Sequence, residues 1–213
     1  IITMSDYTKI MAAVLAGQKA DAAAAAQVLV DEGADAIKVI EDALNVAMDE
    51  VGAKMKTGEM FIPEVLMASQ AMSAAIEILK PHIKGGEVKS AGTVVLGSVK
   101  GDLHDIGKNL VKLMMEGAGF KVVDMGCDVS PEAFLEAVKE NDAQIVGLSA
   151  LLTTTMVHME QTVKLFTEAG LRDKVKIILG GAPVDGRFTK EVGADGYAED
   201  AGSAAALAKE LLA

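Results

Sequence analysis

From Ser5 to about His82, apolar residues recur at the three-and-four spacing of helices, and nothing alternates as a strand does. Ser5 offers a cap to a first helix that Gly17 stops, and Asp21 opens an Ala-rich second helix ending at Gly33. Ile37, Ile40, Ala43, Leu44, Ala47, Met48 and Val51 mark one face of a third helix, from about Asp35 to Lys56, which Thr57-Gly58 breaks. Pro63 stands where a fourth helix begins, and Val65, Leu66, Met72, Ile76 and Leu79 carry it to Pro81. Four amphipathic helices with short connections predict a small bundle over residues 5–84. Residues 1–3 precede Met4 and stay outside this reading.

Lys84-Gly-Gly-Glu-Val-Lys-Ser90 is polar and carries two glycines, Gly85 and Gly86, so it reads as linker and hinge. Beyond it the period changes. Thr93–Val99, Lys121–Met125, Gln144–Ser149 and Lys174–Leu179 are short Val/Ile-rich runs, and Gly196–Ala198 is a shorter one. Helical patterns lie between and after them, at Ile106–Gly117, Ser130–Asn141, Thr155–Ala169, about Asp185–Val192, and on to Ala213. Strands without alternation are strands buried on both faces. The predicted class is therefore α/β: a helical bundle followed, over 91–213, by a flavodoxin-like (Rossmann-type) five-stranded parallel sheet. Ligands of such sheets sit beyond the carboxyl ends of the strands, which directs attention to the loops after Val99, Met125, Ser149 and Leu179.

Charge narrows the classes. With 20 Lys and Arg against 31 Asp and Glu, the net charge of −11 repels phosphate backbones. Aromatic residues are 3% of the chain, with no Trp, so stacking platforms for single strands are poorly supplied. No nucleic-acid partner is expected. The apolar stretches look too short or interrupted to span a bilayer, and the opening residues do not read as a signal peptide. One cysteine rules out an intramolecular disulfide, so the expected location is the cytoplasm, with no membrane partner.

The loop after the first strand is Lys100-Gly-Asp-Leu-His-Asp-Ile-Gly107. Gly101 and Gly107 let backbone approach a ligand, and His104 stands between Asp102 and Asp105. A histidine so placed can ligate a metal through one ring nitrogen while a carboxylate holds the proton on the other. It can equally be a solvated histidine with acidic neighbours. A phosphate-binding loop is excluded, because Gly107-Lys108 is followed by Asn109 and the glycine needed five residues earlier is Asp102. Cys127, His82, His104 and His158 lack the pairwise spacing of a zinc site. Leu148-Ser-Ala-Leu-Leu-Thr-Thr-Thr155 places four hydroxyls on one strand-to-helix turn, either as helix caps or as ligand contacts. Gly180-Gly181 is either a plain turn or a place where something large lies against the main chain.

Taken together, Asp102-x-His104-x-x-Gly107, Ser149-x-Leu151 and Gly180-Gly181 on successive strand ends resemble the cobalamin-binding fingerprint. The preceding helices resemble the cap of the same family, and Gly58-Glu-Met-Phe-Ile-Pro-Glu-Val-Leu-Met67 matches its signature. The chain is similar to the corrinoid proteins of methyltransferase systems and to the cap and cobalamin modules of methionine synthase. That resemblance implies a cobalamin or related cobamide, cycling between methyl-Co(III) and Co(I), with His104 as the lower axial ligand of cobalt. It further implies that Asp102 bonds His104 and that Thr155 extends the pair into a proton relay. The rest of the loop (Gly101, Leu103, Asp105, Ile106 and Gly107) would join Ser149, Leu151, Thr153, Gly180 and Gly181 in lining the cofactor slot. Tyr197 and Ala198 would lie beside the lower base. Phe61, Leu66 and Met67 would cover the methyl group, although spacing alone reads them as bundle core. By the same resemblance Cys127 is a small buried hydrophobe and no ligand; His158, away from any motif on the helix after Thr155, reads as structural. His82 suits a helix C-terminus, and the many methionines suit flexible core filling.

The implied function is a methyl carrier that serves a substrate-specific methyltransferase and an acceptor methyltransferase (to tetrahydrofolate or a thiol), with a reductive activator for Co(II). Such a chain is a subunit and not a complete enzyme, because cap and cobamide fold use all of it and leave no substrate barrel. Two alternatives remain: a cobalamin-dependent sensor, and the small subunit of an adenosylcobalamin mutase. The first expects a DNA-binding segment, and the second usually lacks the cap.

Overall fold

The computed structural model describes residues 7–83 and 90–213. It divides into two compact units, Ile1–Ser90 with Gly117–Gly119, and Ala91–Glu116 with Phe120–Ala213. The cap expected at Ser5 and the hinge at Lys84-Gly85-Gly86 lie outside the described residues.

The first unit is helical, as its spacing predicts. Its helices are α1 (Thr8–Leu15), α2 (Lys19–Asp31), α3 (Ala36–Val39), α4 (Asn45–Thr57) and α5 (Ile62–Leu79). The second helix starts at Lys19 and not at Asp21, because Gly17 ends α1 and the chain re-enters helix directly after Gln18. Asp21 instead falls in the first turn, where its charge meets the positive end of the helix dipole. The predicted third helix is one helical run interrupted by a π-turn, Ile40–Leu44, which joins α3 to α4. Apolar spacing does not reveal this turn, because Ile40, Ala43 and Leu44 are buried all the same. Gly58, in the left-handed region, ends α4. At the start of α5 the Glu64 carboxylate accepts the Phe61 N–H at 2.8 Å, and Phe61 has no side-chain acceptor to return the bond.

α5 buries Val65, Ala68, Ala71, Met72, Ala75 and Leu79 and packs against α2, which buries Ala22, Ala26 and Leu29. Small residues on both faces let these helix axes approach closely. Ile62–His82, which is α5 with the 3-10 turn after it, has 21 residues and a mean hydropathy of 1.3, long and apolar enough by length and composition to cross a bilayer. That corrects the expectation that every apolar stretch is too short or interrupted. Its apolar character serves the bundle, as its buried face shows.

The second unit is a five-stranded, all-parallel sheet in the order β2-β1-β3-β4-β5. The strands are β1 (Thr93–Ser98), β2 (Lys121–Asp124), β3 (Ile145–Ser149), β4 (Lys176–Gly180) and β5 (Gly196–Ala198). The helices α6 (Ile106–Gly117), α7 (Pro131–Asn141), α8 (Val157–Glu168), α9 (Gly186–Val192) and α10 (Ala201–Leu212) follow the strands in turn. The three inner strands are buried, as unbroken apolar runs require. β2 is only half-buried, because it is an edge, and the expectation of two covered faces fails there. Ser130, Asp185 and Asp200 cap α7, α9 and α10 through bonds to backbone N–H groups. Strand order reverses between β1 and β3, so the crevice at their carboxyl ends is the place for a ligand.

Candidate functional site

At that crevice the loops after β1 and β3 meet on one buried carboxylate. Asp102 is 1% exposed, and both of its carboxylate oxygens meet hydrogen-bond donors. Oδ1 accepts from His104 N–H at 3.1 Å and lies 2.8 Å from His104 Nδ1. Oδ2 accepts from the Leu151 N–H at 2.7 Å, more loosely from Leu152 N–H at 3.4 Å, and from the Thr155 hydroxyl at 2.8 Å. Burial by itself would raise this carboxyl. The bonds from Leu151, His104 and Thr155 outweigh burial and hold it well below the usual carboxylate range. Asp102 is therefore an anion at neutral pH, and His104 Nδ1 must be the protonated ring nitrogen.

The Thr155 hydroxyl also lies 2.8 Å from the Leu152 carbonyl, so its single proton serves Asp102 or Leu152 but not both at full strength. Its own place comes from the turn that starts α8 two residues later than the sequence pattern predicts. Backbone and side chain of Thr155 both bond Leu152.

His104 is half-exposed, and its carbonyl accepts from the fully buried Ser98 hydroxyl at 2.6 Å. Nε2 has no hydrogen-bond partner among the described residues. Around it the two loops present bare apolar side chains: Leu103 and Ile106 are 75% and 78% exposed, and Leu151, Leu152 and Val157 are each more than two-fifths exposed. An imidazole nitrogen open beside an apolar ledge suits a large, flat, largely apolar ligand that carries a metal.

The glycines divide by cause. Gly101 has φ +78° at the third position of a turn closed by Asp102 N–H to the Val99 carbonyl, as a type II turn requires. A Cβ on Gly181 would fall 1.8 Å from the Ala150 carbonyl oxygen, so that glycine is explained by strand ends packing within the protein. Gly107 is different. A Cβ there would meet nothing within 4 Å, and its φ is ordinary, so neither packing nor backbone explains it. It leaves room for a ligand against the first turn of α6. Exposed Gly107, the unpartnered Nε2 and the apolar ledge together fit a cobamide.

The remaining sequence-predicted residues scatter in character. Ser149 is half-buried at the end of β3, while Thr153 and Asp105 are exposed. Gly180 is half-buried, with the Ala198 carbonyl 3.3 Å from where its Cβ would stand. Tyr197 is half-buried against the sheet's core, and Ala198 is buried. Burial first, then the charges of Glu199, Asp185 and Asp200, raise the Tyr197 phenol. In the first unit Phe61 and Met67 are exposed at the start of α5, and Leu66 is half-buried. Cys127 is half-buried, which corrects its reading as a buried hydrophobe, because the loop that carries it lies at the sheet's edge strand. No His, Cys, Asp and Glu group able to hold a metal by itself occurs among the described residues.

Two features escaped the sequence reading. Lys108 is 2% exposed and donates to Asp124 at 2.6 Å and to Asn109 Oδ1 at 2.7 Å. Burial would raise the Asp124 carboxyl, but Lys108 and the Gly126 N–H outweigh it and lower it. A lysine on the buried face of α6 was the available signal. The second is Asp128, one of two non-glycine residues with positive φ among those described, at +56°. Its Oδ1 accepts from Gly101 N–H at 2.7 Å, and its own N–H donates to the Asp102 carbonyl at 3.0 Å.

Comparison with known proteins agrees with this geometry. Residues 92–206 and 7–80 each match a B12 binding domain family. A corrinoid protein of Desulfitobacterium hafniense is 41% identical over 98% of both chains. Dimethylamine corrinoid protein 1 of Methanosarcina acetivorans is 46% identical over 84% of both. The methanol:cobalamin methyltransferase complex MtaBC of Methanosarcina barkeri contains a chain of similar structure, with a TM-score of 0.88 and 33% identity, over 98% of this chain and 80% of that one. The chain belongs to the B12-binding corrinoid proteins of methyltransferase systems, and its cofactor is a cobalamin or related cobamide.

Proposed function

We propose that this protein carries a methyl group between a substrate-specific methyltransferase and an acceptor methyltransferase, with His104 as the lower ligand of the cobamide's cobalt. The observation that carries the reading is the chain from Thr155 through ionised Asp102 to His104 Nδ1, which leaves Nε2 as the free lone pair. When bound, the cobamide supplies a cobalt atom that accepts a methyl group and gives it up again. The chain's own part is to set how strongly Nε2 donates. Asp102 fixes the tautomer and orients the ring, and the Leu151 and Leu152 N–H groups keep that carboxylate ionised in a buried place. A proton moving onto the His104–Asp102 pair weakens the donor, and the shared Thr155 proton is where such a relay would begin. Leu103, Ile106 and Leu151 are exposed beside it and would exclude water there once a cofactor covers them.

Residues 91–213 would form the cobamide domain and residues 5–84 the cap, whose Phe61, Leu66 and Met67 would shield the methyl group. Phe61→Ala should leave cobamide content close to that of the parent while aerobic oxidation and photolysis, followed by absorbance, become faster. Equal rates would remove Phe61 from that role. Methylamine- and methanol-type relatives make those donors the first to test, and a reductive activator would restore cobalt that has been oxidised. The proposed location is the cytoplasm. The direct test loads the protein with hydroxocobalamin, reduces it, and supplies one methyltransferase at a time with methanol, mono-, di- or trimethylamine. Methylation of the cofactor in at least one pairing is expected. Failure in all of them, together with isolation carrying an adenosyl cobamide, would overturn the carrier reading in favour of a mutase subunit.

Gly107 supplies a separate test of cofactor placement. Gly107→Val should leave the apoprotein's melting temperature unchanged or raised, since a Cβ meets no protein atom there and glycine is a poor helix former. Overpacking against the ligand should cost about 1–3 kcal/mol, about fivefold to 150-fold in cobamide Kd by titration. Undiminished affinity would show that the ligand lies elsewhere.

A further inference from the structure

We propose that Asp128 is a positioning residue for the lower ligand, acting through Asp102 from the neighbouring loop. The inference rests on the reading of His104 as that ligand.

The grip of Asp128 is unusual in where it falls. The turn Val99–Asp102 is closed on its inner side by Asp102 N–H to the Val99 carbonyl, which leaves the Gly101 N–H turned away from it. Asp128 Oδ1 takes that N–H at 2.7 Å. The Asp128 N–H then donates to the Asp102 carbonyl at 3.0 Å, so one residue holds the Lys100–Gly101 and Asp102–Leu103 peptides that bracket the Gly101-Asp102 pair. Reaching both puts Asp128 in the left-handed region, at φ +56°, a conformation that Asp tolerates better than most L-residues. Further bonds run the two segments side by side: Ser98 N–H to Gly126 and Val129 N–H to Ser98, with Val99 and Val129 bridged.

Asp102 must aim Oδ1 at His104 and Oδ2 at Leu151 and Thr155 at once, so a small rotation of its backbone would lengthen one set or the other. Loop stability alone would need neither a carboxylate nor the double grip, since Gly at this position would meet the φ requirement without strain. Asp128 is exposed, so its substitution need not disturb the core.

The test compares Asp128→Asn, Asp128→Gly and Asp128→Ala, each loaded with cobalamin and reduced to Co(II). Electron paramagnetic resonance then reads the fraction of cobalt coupled to a protein nitrogen. Asn keeps an acceptor oxygen and tolerates the left-handed region, Gly removes the acceptor without strain, and Ala removes the acceptor and adds strain. Gly and Ala should lower the nitrogen-on equilibrium about three- to tenfold, less than the roughly 10–100-fold of groups bonded directly to a metal ligand. Asn should restore the parent value, and the Gly101 amide of the apoprotein should exchange faster in Gly and Ala but not in Asn. If all three match the parent, if Asn is as impaired as Ala, or if Gly matches the parent, the proposal is overturned. Should Ala fail to fold, the Gly and Asn pair decides. His104→Ala serves as the control: if it retains the nitrogen coupling, the ligand assignment itself is wrong, whatever the Asp128 variants do.

Discussion

His104→Ala, loaded with cobalamin and reduced to Co(II), should give an electron paramagnetic resonance spectrum without the protein-nitrogen coupling that the parent shows. Of the three histidines, His104 is the one on a strand-end loop whose Nδ1 is held by a buried carboxylate and whose Nε2 is open. His158 Nδ1 lies 2.9 Å from Gln161 on the surface of α8, and His82 belongs to the helical unit. Neither ring is held by a buried carboxylate among the described residues. Cobalamin should still bind, because the apolar ledge and the surroundings of Gly107 are untouched. Its affinity should fall by about tenfold to a hundredfold, the scale on which changes around a metal site are felt. Added imidazole should restore a nitrogen-coupled spectrum, since the space left by the ring opens to solvent. A His104→Ala spectrum identical to the parent's would end the assignment.

Much of this site is legible in the chain before any coordinates. Asp102, His104 and Gly107 follow one strand in close succession, and the strand order places them beside the loop bearing Leu151 and Thr155. Unbroken apolar runs imply a parallel sheet, and a parallel sheet implies a crevice at its carboxyl end. What the sequence hides is how the loops are tied. The bond from Leu151 to Asp102 is made by a backbone N–H, which any residue at 151 would supply, so side-chain identity carries no trace of it. Asp128 is hidden for a similar reason: its acceptor role depends on the closeness of two loops separated by 27 positions. The π-turn at Ile40–Leu44 inserts one residue without exposing an apolar side chain, and so leaves the hydrophobic pattern intact. Gly181 is legible as a close approach but not as to what it approaches: a Cβ there would fall 1.8 Å from the Ala150 carbonyl oxygen, a contact between loops that the sequence does not show.

Asp102→Asn should destabilise the apoprotein at pH 7 by about 1–3 kcal/mol, measured by urea denaturation, the penalty for leaving buried donors unsatisfied. The two carboxylate oxygens face only donors: His104 on one side, and Leu151, Leu152 and Thr155 on the other. An amide can turn its oxygen to one side, and its NH2 then confronts N–H groups on the other, whichever flip is chosen. The pH dependence follows from the lowered carboxyl of Asp102. A carboxyl whose folded value lies below its unfolded one contributes stability that is complete above the unfolded value, about 3.9. That contribution is lost progressively as pH falls toward the folded value, because protonation in the unfolded chain then competes with folding. Asn has no such titration. The gap between parent and Asp102→Asn should therefore narrow as pH falls below about 4. Measuring the apoprotein separates this effect from any loss of cofactor. A gap that stays constant to pH 3 would mean that Asp102 is not held ionised by these donors, and the fixed Nδ1–H tautomer of His104 would lose its physical basis.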